Sequence, residues 1–232
     1  MTAVSAQLAL ALEVRRARGR ADFIVAPCNA AAVAWIDRWP DWPAHALALY
    51  GPAGAGKSHL AQVYSEKSGA EWVPAAALGG LGPARLRSAA RAAVIDPLEA
   101  DDGWDEQALL HLLNLAREIR GSVLLVGRSA PGRLARMPDL SSRLSALPAA
   151  RLGEADDALL AALLAKHFAE RQLRVAEDVV RFLLARMERS FGSALELVER
   201  LDRLALAEQR AVTVPLARRA LAQLEASDRA RY

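Results

Sequence analysis

Eight residues in the first third of the chain limit most sharply what it can become. The segment Gly51-Pro-Ala-Gly-Ala-Gly56-Lys57-Ser58 fits G-x-x-x-x-G-K-[ST]. An apolar run, Ala46 to Tyr50, reads as a strand that ends on it, and Ser58 to Lys67 reads as a helix that leaves it. Glycines there let the backbone wrap closely around an anion and turn its N–H groups inward. Lys57 supplies a cation for outer phosphates, Ser58 offers a hydroxyl to magnesium, and the helix places its positive end against the anion. A chance match in a chain of this composition has odds of about one in a thousand. Lys57 is moreover one of only three lysines, with Lys67 and Lys166. The chemistry implied is phosphate binding by a strand–loop–helix unit.

Such a site also needs an acid at a neighbouring strand end, to reach magnesium through water. Ala92-Ala-Val-Ile-Asp96 reads as a buried strand that ends in one, 38 residues beyond Ser58. Ser58 and Asp96 are thus the candidate metal residues. Many hydrolases of this kind carry a second acid directly after the first, but here Pro97 follows. Glu99, Asp101 and Asp102 could substitute, yet by composition they read as a solvated acidic loop.

Short strands alternate with longer helical patterns up to about residue 153. Helix is expected at about 29–38 with Asn29 capping its first turn, at 85–91 and over Trp104 to Arg120; strands are expected at Trp72-Val-Pro and Ser122 to Gly127. Parallel neighbours require crossover connections, so the pattern indicates an α/β fold with a parallel, doubly wound sheet. From about 155 the strand signal disappears, and helices are expected at 155–171, 176–189, 193–210 and 215–225. The expected organisation is a tail and basic linker at 1–20, an α/β nucleotide-binding subdomain at 21–153, and an all-helical subdomain at 154–232.

The chain has 232 residues, is 53% hydrophobic and 25% charged, and so has enough apolar material for a core of its own. Its single cysteine, Cys28, excludes a disulfide framework and a four-thiolate zinc site. No apolar run is long enough to span a bilayer, and a cytoplasmic location is expected. The net charge is only +3, and 27 arginines against three lysines is a compositional bias, so the basic excess carries little weight as a nucleic-acid footprint. The four histidines lack metal-ligand spacing. Trp35, Trp39 and Trp42 are spaced to cover one side of a helix and its exit, as core residues.

Taken in order, several segments resemble one family. Phe23-Ile-Val with Asn29, Gly51-Pro-Ala-Gly-Ala-Gly-Lys-Ser-His-Leu60, Leu113-Asn-Leu-Ala-Arg117, Pro138-Asp-Leu-Ser-Ser-Arg-Leu144 and Leu201-Asp-Arg203 resemble the AAA+ ATPases of the initiator clade, the DnaA/Hda group. The resemblance runs from about residue 20 to 225 and implies a P-loop AAA+ core with a helical lid. It implies ADP or ATP with Mg2+ as ligands, adenine packed by Phe23, Val25 and Asn29, and phosphates held by Gly51, Pro52, Ala53, Gly54, Ala55, Gly56, Lys57, Ser58 and His59. Arg143, in the Ser-Arg-Leu position, is implied to be an arginine finger offered to a neighbouring protein's nucleotide, with Asp96 as the catalytic acid.

The N-terminal Gln7-Leu8-Ala9-Leu10-Ala11-Leu12 fits the clamp-binding form Q-L-x-L-x-L of the Hda side of the group. An extended peptide would put Leu8, Leu10 and Leu12 on one side, for apolar pockets, with the Gln7 amide fixing register. Read without the family, the same residues would be an N-terminal strand or helix start. The implied partners are the sliding clamp (the beta subunit of DNA polymerase III) and DnaA, and a homo-oligomer is compatible with the family. With Tyr232 following closely on the helical subdomain, no sequence-specific DNA binding and no membrane partner are expected.

The departures are as informative. The family's lid arginine aligns with Gly192, Arg189 lies one turn earlier, and the polar sensor after the Ser122–Gly127 strand falls at Arg128-Ser129. Together with Pro97 they imply a regulator that activates hydrolysis on DnaA and has weak or no hydrolysis of its own. The alternatives are an autonomous AAA+ ATPase such as a helicase-loader-like motor, and a small-molecule kinase, for which no acceptor-binding residues can be identified.

Overall fold

The computed structural model describes residues 24–99 and 103–229. They fall into two compact units, Pro27–Glu154 and a second formed by 24–26 with 155–229.

The first unit is a five-stranded parallel sheet in the order β2-β3-β4-β1-β5. Its strands are β1 (Ala46–Tyr50), β2 (Glu71–Val73), β3 (Ala92–Ile95), β4 (Ser122–Gly127) and β5 (Ala149–Arg151). The crossovers carry α2 (Lys57–Ser68), α3 (Pro83–Arg91), α4 (Glu106–Glu118) and α5 (Pro138–Ser145), and α1 (Ala30–Asp37) precedes β1. β1 and β4 are central and buried almost throughout, as their unbroken apolar runs require of strands covered on both faces. One face, with Ala48, Ile95, Val123 and Leu125, packs against Leu109, Leu112, Leu140 and Leu144 of α4 and α5. On the other face α2 packs against β3 and β4, and α1 against β5.

Trp35, Trp39 and Trp42 are half-buried and not core residues, though two of them pack on Tyr64. Trp42 stacks on Tyr64 with ring centroids 5.1 Å apart, Trp39 meets the same ring edge-on at 6.2 Å, and the Trp42 Nε1–H donates to the Trp35 carbonyl at 2.7 Å. Tyr64 is fully buried on α2, and its hydroxyl donates to the Ser122 carbonyl at 2.8 Å. The helix that follows the glycine loop is thereby tied to β4. Burial also pushes the Tyr64 phenol above its ordinary pKa, against the pull of its hydroxyl partners.

Three elements differ from what spacing predicts. Asn29 does occupy the position before α1, but its side chain makes no capping bond; the residue is 2% exposed and its carbonyl accepts from the Val33 N–H at 3.0 Å. The sheet has a fifth strand, β5, where only the end of the domain was marked; three residues with no β-branched side chain carry no strand signal of their own. The helix expected at 176–189 ends at Leu184.

The second unit is helical: α6 (Asp157–Glu170), α7 (Glu177–Leu184), α8 (Phe191–Glu208) and α9 (Val214–Arg229). Asp156 and Ser190 cap α6 and α8, accepting from the Leu159 and Ser193 N–H groups at 2.8 and 3.0 Å. Leu160, Leu164, Leu183, Leu197 and Leu201 are buried. The only extended pairing in this unit, among the described residues, is one bridge between Val175 and Val212.

Candidate functional site

The loop from Gly51 to Gly56 leaves the C-terminal end of β1 and enters α2 through residues that only glycine suits. Gly51 has φ +150°, and a Cβ there would stand 2.1 Å from the Leu152 carbonyl oxygen of the chain leaving β5. Gly56, with φ +91°, stands at the N-cap of α2 in the left-handed region and offers no side chain, so the first-turn amides of the helix face the loop uncapped. Gly54 is also left-handed.

Lys57 is folded into this loop, its Nζ donating to the carbonyls of Gly51 and Pro52, both at 2.7 Å. The Ser58 hydroxyl donates to Asp96 Oδ2 at 3.0 Å, so the two candidate metal residues, 38 positions apart, meet side by side. β3 delivers Asp96 to the same end of the parallel sheet at which β1 delivers the loop. Burial pushes the Lys57 ammonium below its ordinary value, the Glu99 and Asp96 carboxylates push it back up, and Arg128 lowers it further. Burial likewise raises Asp96, against the Ser58 hydrogen bond and the Lys57 charge. The donor set suits phosphate: the uncapped first-turn amides of α2, one half-buried cation, and a hydroxyl beside a carboxylate. Those last two groups are oxygen ligands of the kind Mg2+ takes, and Mg2+ keeps most of its other ligands as water and substrate oxygen. Among the described residues no cluster of three or more His, Cys, Asp or Glu could hold a metal by itself.

Glu99 is not the solvated acid that composition suggested. Its side chain is 20% exposed, and its two oxygens accept from the Arg128 N–H at 3.0 and 3.2 Å. Past Asp96 the chain keeps following β4, with the Leu98 N–H donating to the Val126 carbonyl at 2.8 Å and Leu98 wholly buried. Nothing in the run Glu99 to Asp102 distinguishes a pinned acid from a free one; the pairing with β4 does.

Arg143 lies elsewhere in the first unit, on the last turn of α5. Its guanidinium donates to Asn114 Oδ1 of α4 at 2.6 Å and to Asp139 at 3.3 Å, and the side chain is 43% exposed. It lines a cavity of about 370 Å³ together with His45, Ala46, Leu113, Asn114 and Arg117. His45 and Ala46 are at the start of β1, whereas the loop is at its end, so Arg143 and the loop occupy opposite ends of the sheet. Asn114 was visible in sequence only as part of a motif, without a role.

Of the remaining expected site residues, Pro52, Ala53 and Ala55 form the loop, with only Ala55 buried, and His59 is exposed in the first turn of α2. Val25 is half-buried in the 24–26 segment that groups with the second unit, and Asn29 belongs to the first. Phe23 and the tail residues Gln7, Leu8, Leu10 and Leu12 lie outside the described residues. Gly192 is in the first turn of α8, and Arg189, just before it, pairs with Asp157 at 3.0 Å within the second unit.

Residues 156–221 match the family model for the Hda lid domain. The chain is 25% identical over 185 residues to an uncharacterized protein of Haemophilus influenzae, covering 75% of this chain and 80% of that one. Among solved structures it is similar to domain III of the Thermotoga maritima replication initiation protein DnaA, with a TM-score of 0.72 and 18% identity, covering 87% of this chain and 94% of that one. It is also similar to AMPPCP-bound DnaA from Aquifex aeolicus (TM-score 0.65, 17% identity, 90% of this chain and 68% of that one). The Thermotoga maritima RuvB branch migration motor shares the fold (TM-score 0.62, 18% identity, 85% and 67%). No helix among the described residues is long and apolar enough to cross a membrane. A glycine-rich loop on a five-stranded parallel sheet, followed by a segment that matches the Hda lid model, gives the chain the fold of DnaA domain III with an Hda-type lid at residues 156–221.

Proposed function

We propose that this chain is a regulator of bacterial replication initiation that binds ADP or ATP with Mg2+ in its own loop and stimulates hydrolysis of ATP held by DnaA. Lys57 and the amides of Gly54, Gly56, Lys57 and Ser58 would hold the phosphates within the loop Gly51 to Ser58, and Ser58 and Asp96 the metal. Phe23, Val25 and Asn29 would pack on adenine, and His59 would border the loop. The tail residues Gln7, Leu8, Leu10 and Leu12 would dock the protein on the sliding clamp.

The observation that carries this reading is the separation of Arg143 from the loop. Five residues of β1, at about 3.3 Å each, put roughly 16 Å of strand between them. A guanidinium at that end does not serve the chain's own nucleotide; held by Asn114 and Asp139 and partly exposed, it is set to meet a second protein's. A guanidinium delivered to a terminal phosphate stabilises the charge that develops there and accelerates hydrolysis by about 10³–10⁵-fold. Pro97 in place of a second acid, with Glu99 engaged by Arg128, supports weak hydrolysis on the chain's own site.

The test is hydrolysis of DnaA-bound ATP, with clamp loaded on DNA, in the presence and absence of the full chain. Stimulation is expected, and it is expected to disappear in Arg143→Ala. Stimulation that survives this substitution overturns the finger role. The paired change Gln7→Ala, Leu8→Ala is expected to abolish clamp binding, and full retention overturns the tail role.

A further inference from the structure

The cavity that Arg143 lines sits among the last turns of α4 and α5 and the start of β1, and its volume of about 370 Å³ is that of a small-molecule site. Pro43, Leu113 and Leu147 give it apolar walls, and its polar side chains are Arg117, Arg143, Asn114 and His45; no carboxylate among the described residues lines it. The hydrogen-bonding capacity of these groups is only half used. Arg143 donates from Nη1 to Asn114 Oδ1 at 2.6 Å and from Nε to Asp139 at 3.3 Å, which leaves Nη2 over. Asn114, accepting through Oδ1, keeps its amide N–H groups. Arg117 lies three residues past Asn114, on the same side of α4, and is exposed. Its guanidinium has no hydrogen-bond or ion-pair partner among the described residues. Two guanidiniums therefore flank one carboxamide at one concavity.

We propose that Arg117 and Arg143 form a phosphate-binding pair in this cavity, with Arg117 the second guanidinium and the Asn114 amide a further donor. Charge decides the class of ligand. Two like charges held at one concavity repel, and a dianion bridging them turns that repulsion into attraction. Guanidinium forks donate paired, charge-assisted bonds to phosphate oxygens, and the walls at Leu113 and Leu147 suit the organic part of a phosphate ester. The pair is separate from the chain's own glycine loop, which lies at the other end of β1. The phosphate has two sources. One is the nucleotide held by the partner protein, which rests on the function proposed above; there Arg143 meets the terminal phosphate and Arg117 an adjoining one, and the second cation adds to the stabilisation of developing charge. The other is a free phosphate monoester, which does not rest on that function.

The experiment has two arms, each with thermal unfolding as the check on folding. In the first, the full chain with excess ADP and Mg2+ is titrated with phenyl phosphate, and with phenol as the control that lacks the anion. Arg117→Ala is expected to weaken phenyl phosphate by about tenfold or more, Arg117→Lys to recover part of the loss, and phenol not to bind. In the second, hydrolysis of DnaA-bound ATP is measured at saturating chain, where Arg117→Ala is expected to lower the maximal rate about threefold or more and Arg117→Lys to restore part of it. A fall in the maximal rate, with or without phenyl phosphate binding to the free chain, assigns the pair to the partner's nucleotide. Loss of phenyl phosphate binding with the rate unchanged assigns it to a free monoester. A change in neither overturns the pair, and so does a rise only in the chain concentration needed for half-maximal stimulation, which marks a docking contact. A wild-type chain that binds phenyl phosphate through Arg117 but does not stimulate hydrolysis overturns the regulatory reading and leaves the pair standing.

Discussion

Gly51 and Arg143 illustrate how differently single residues depend on their surroundings. Gly51→Ala would drive a Cβ into the Leu152 carbonyl at a backbone angle alanine avoids, so a loss of about 2–4 kcal/mol is expected in denaturant unfolding. Arg143→Ala removes only partly exposed polar contacts, and a change within about 1 kcal/mol is expected in the same measurement, which separates a functional loss from a folding one. Burial raises the pKa of Asp96 in the fold, so the folded chain holds that proton more tightly than the unfolded one. Its contribution is therefore favourable in acid and is lost as pH rises through the raised value, leaving a cost at neutrality. Asp96→Asn is expected to raise Tm at pH 7, with the gain fading toward pH 4, while Mg2+-dependent nucleotide affinity falls. A lower Tm at pH 7 would contradict this. The residues Gly51, Lys57, Ser58 and Asp96 were legible as a set, because backbone curvature, cation and metal chemistry each demand one residue type at a given spacing. Glu99 was not legible as a pinned acid, because whether a carboxylate is solvated depends on what the fold puts beside it.

Among the elements, α5 depends most on a contact distant in sequence. Glu106, in the first turn of α4, accepts from the Arg136 N–H at 2.9 Å and from the Met137 N–H at 2.7 Å, holding the segment from which α5 starts. Glu106→Ala is expected to lower stimulated hydrolysis severalfold although Arg143 is intact, and Glu106→Gln, which keeps an acceptor, to lower it less; equal losses would mean charge, not anchoring, matters. In the second unit, Asp156→Ala is expected to cost about 1 kcal/mol in unfolding free energy through loss of the α6 cap. The central strands and most helices could be read from their apolar patterns. β5 could not, since Ala149–Arg151 is a strand only because β1 offers it a parallel edge. Nor could the burial of Asn29, which sits before α1 without a side-chain capping bond.

At the scale of the molecule, nucleotide that binds only the folded chain adds stability by mass action. ADP with Mg2+ at about a hundredfold excess over its Kd is expected to add about 2.7 kcal/mol, read as a raised Tm, and Lys57→Ala to erase the shift. The sequence by itself determined the fold class, the loop and its acid, because periodicity and phosphate chemistry are local demands written in residue type and spacing. Only the tertiary structure decided that Ser58 meets Asp96, that Arg128 holds Glu99, and that Arg143 stands at the far end of the sheet from the loop. Those are facts of strand order: the parallel sheet gathers the ends of β1, β3 and β4 on one edge and leaves the start of β1, with α5 beside it, on the other.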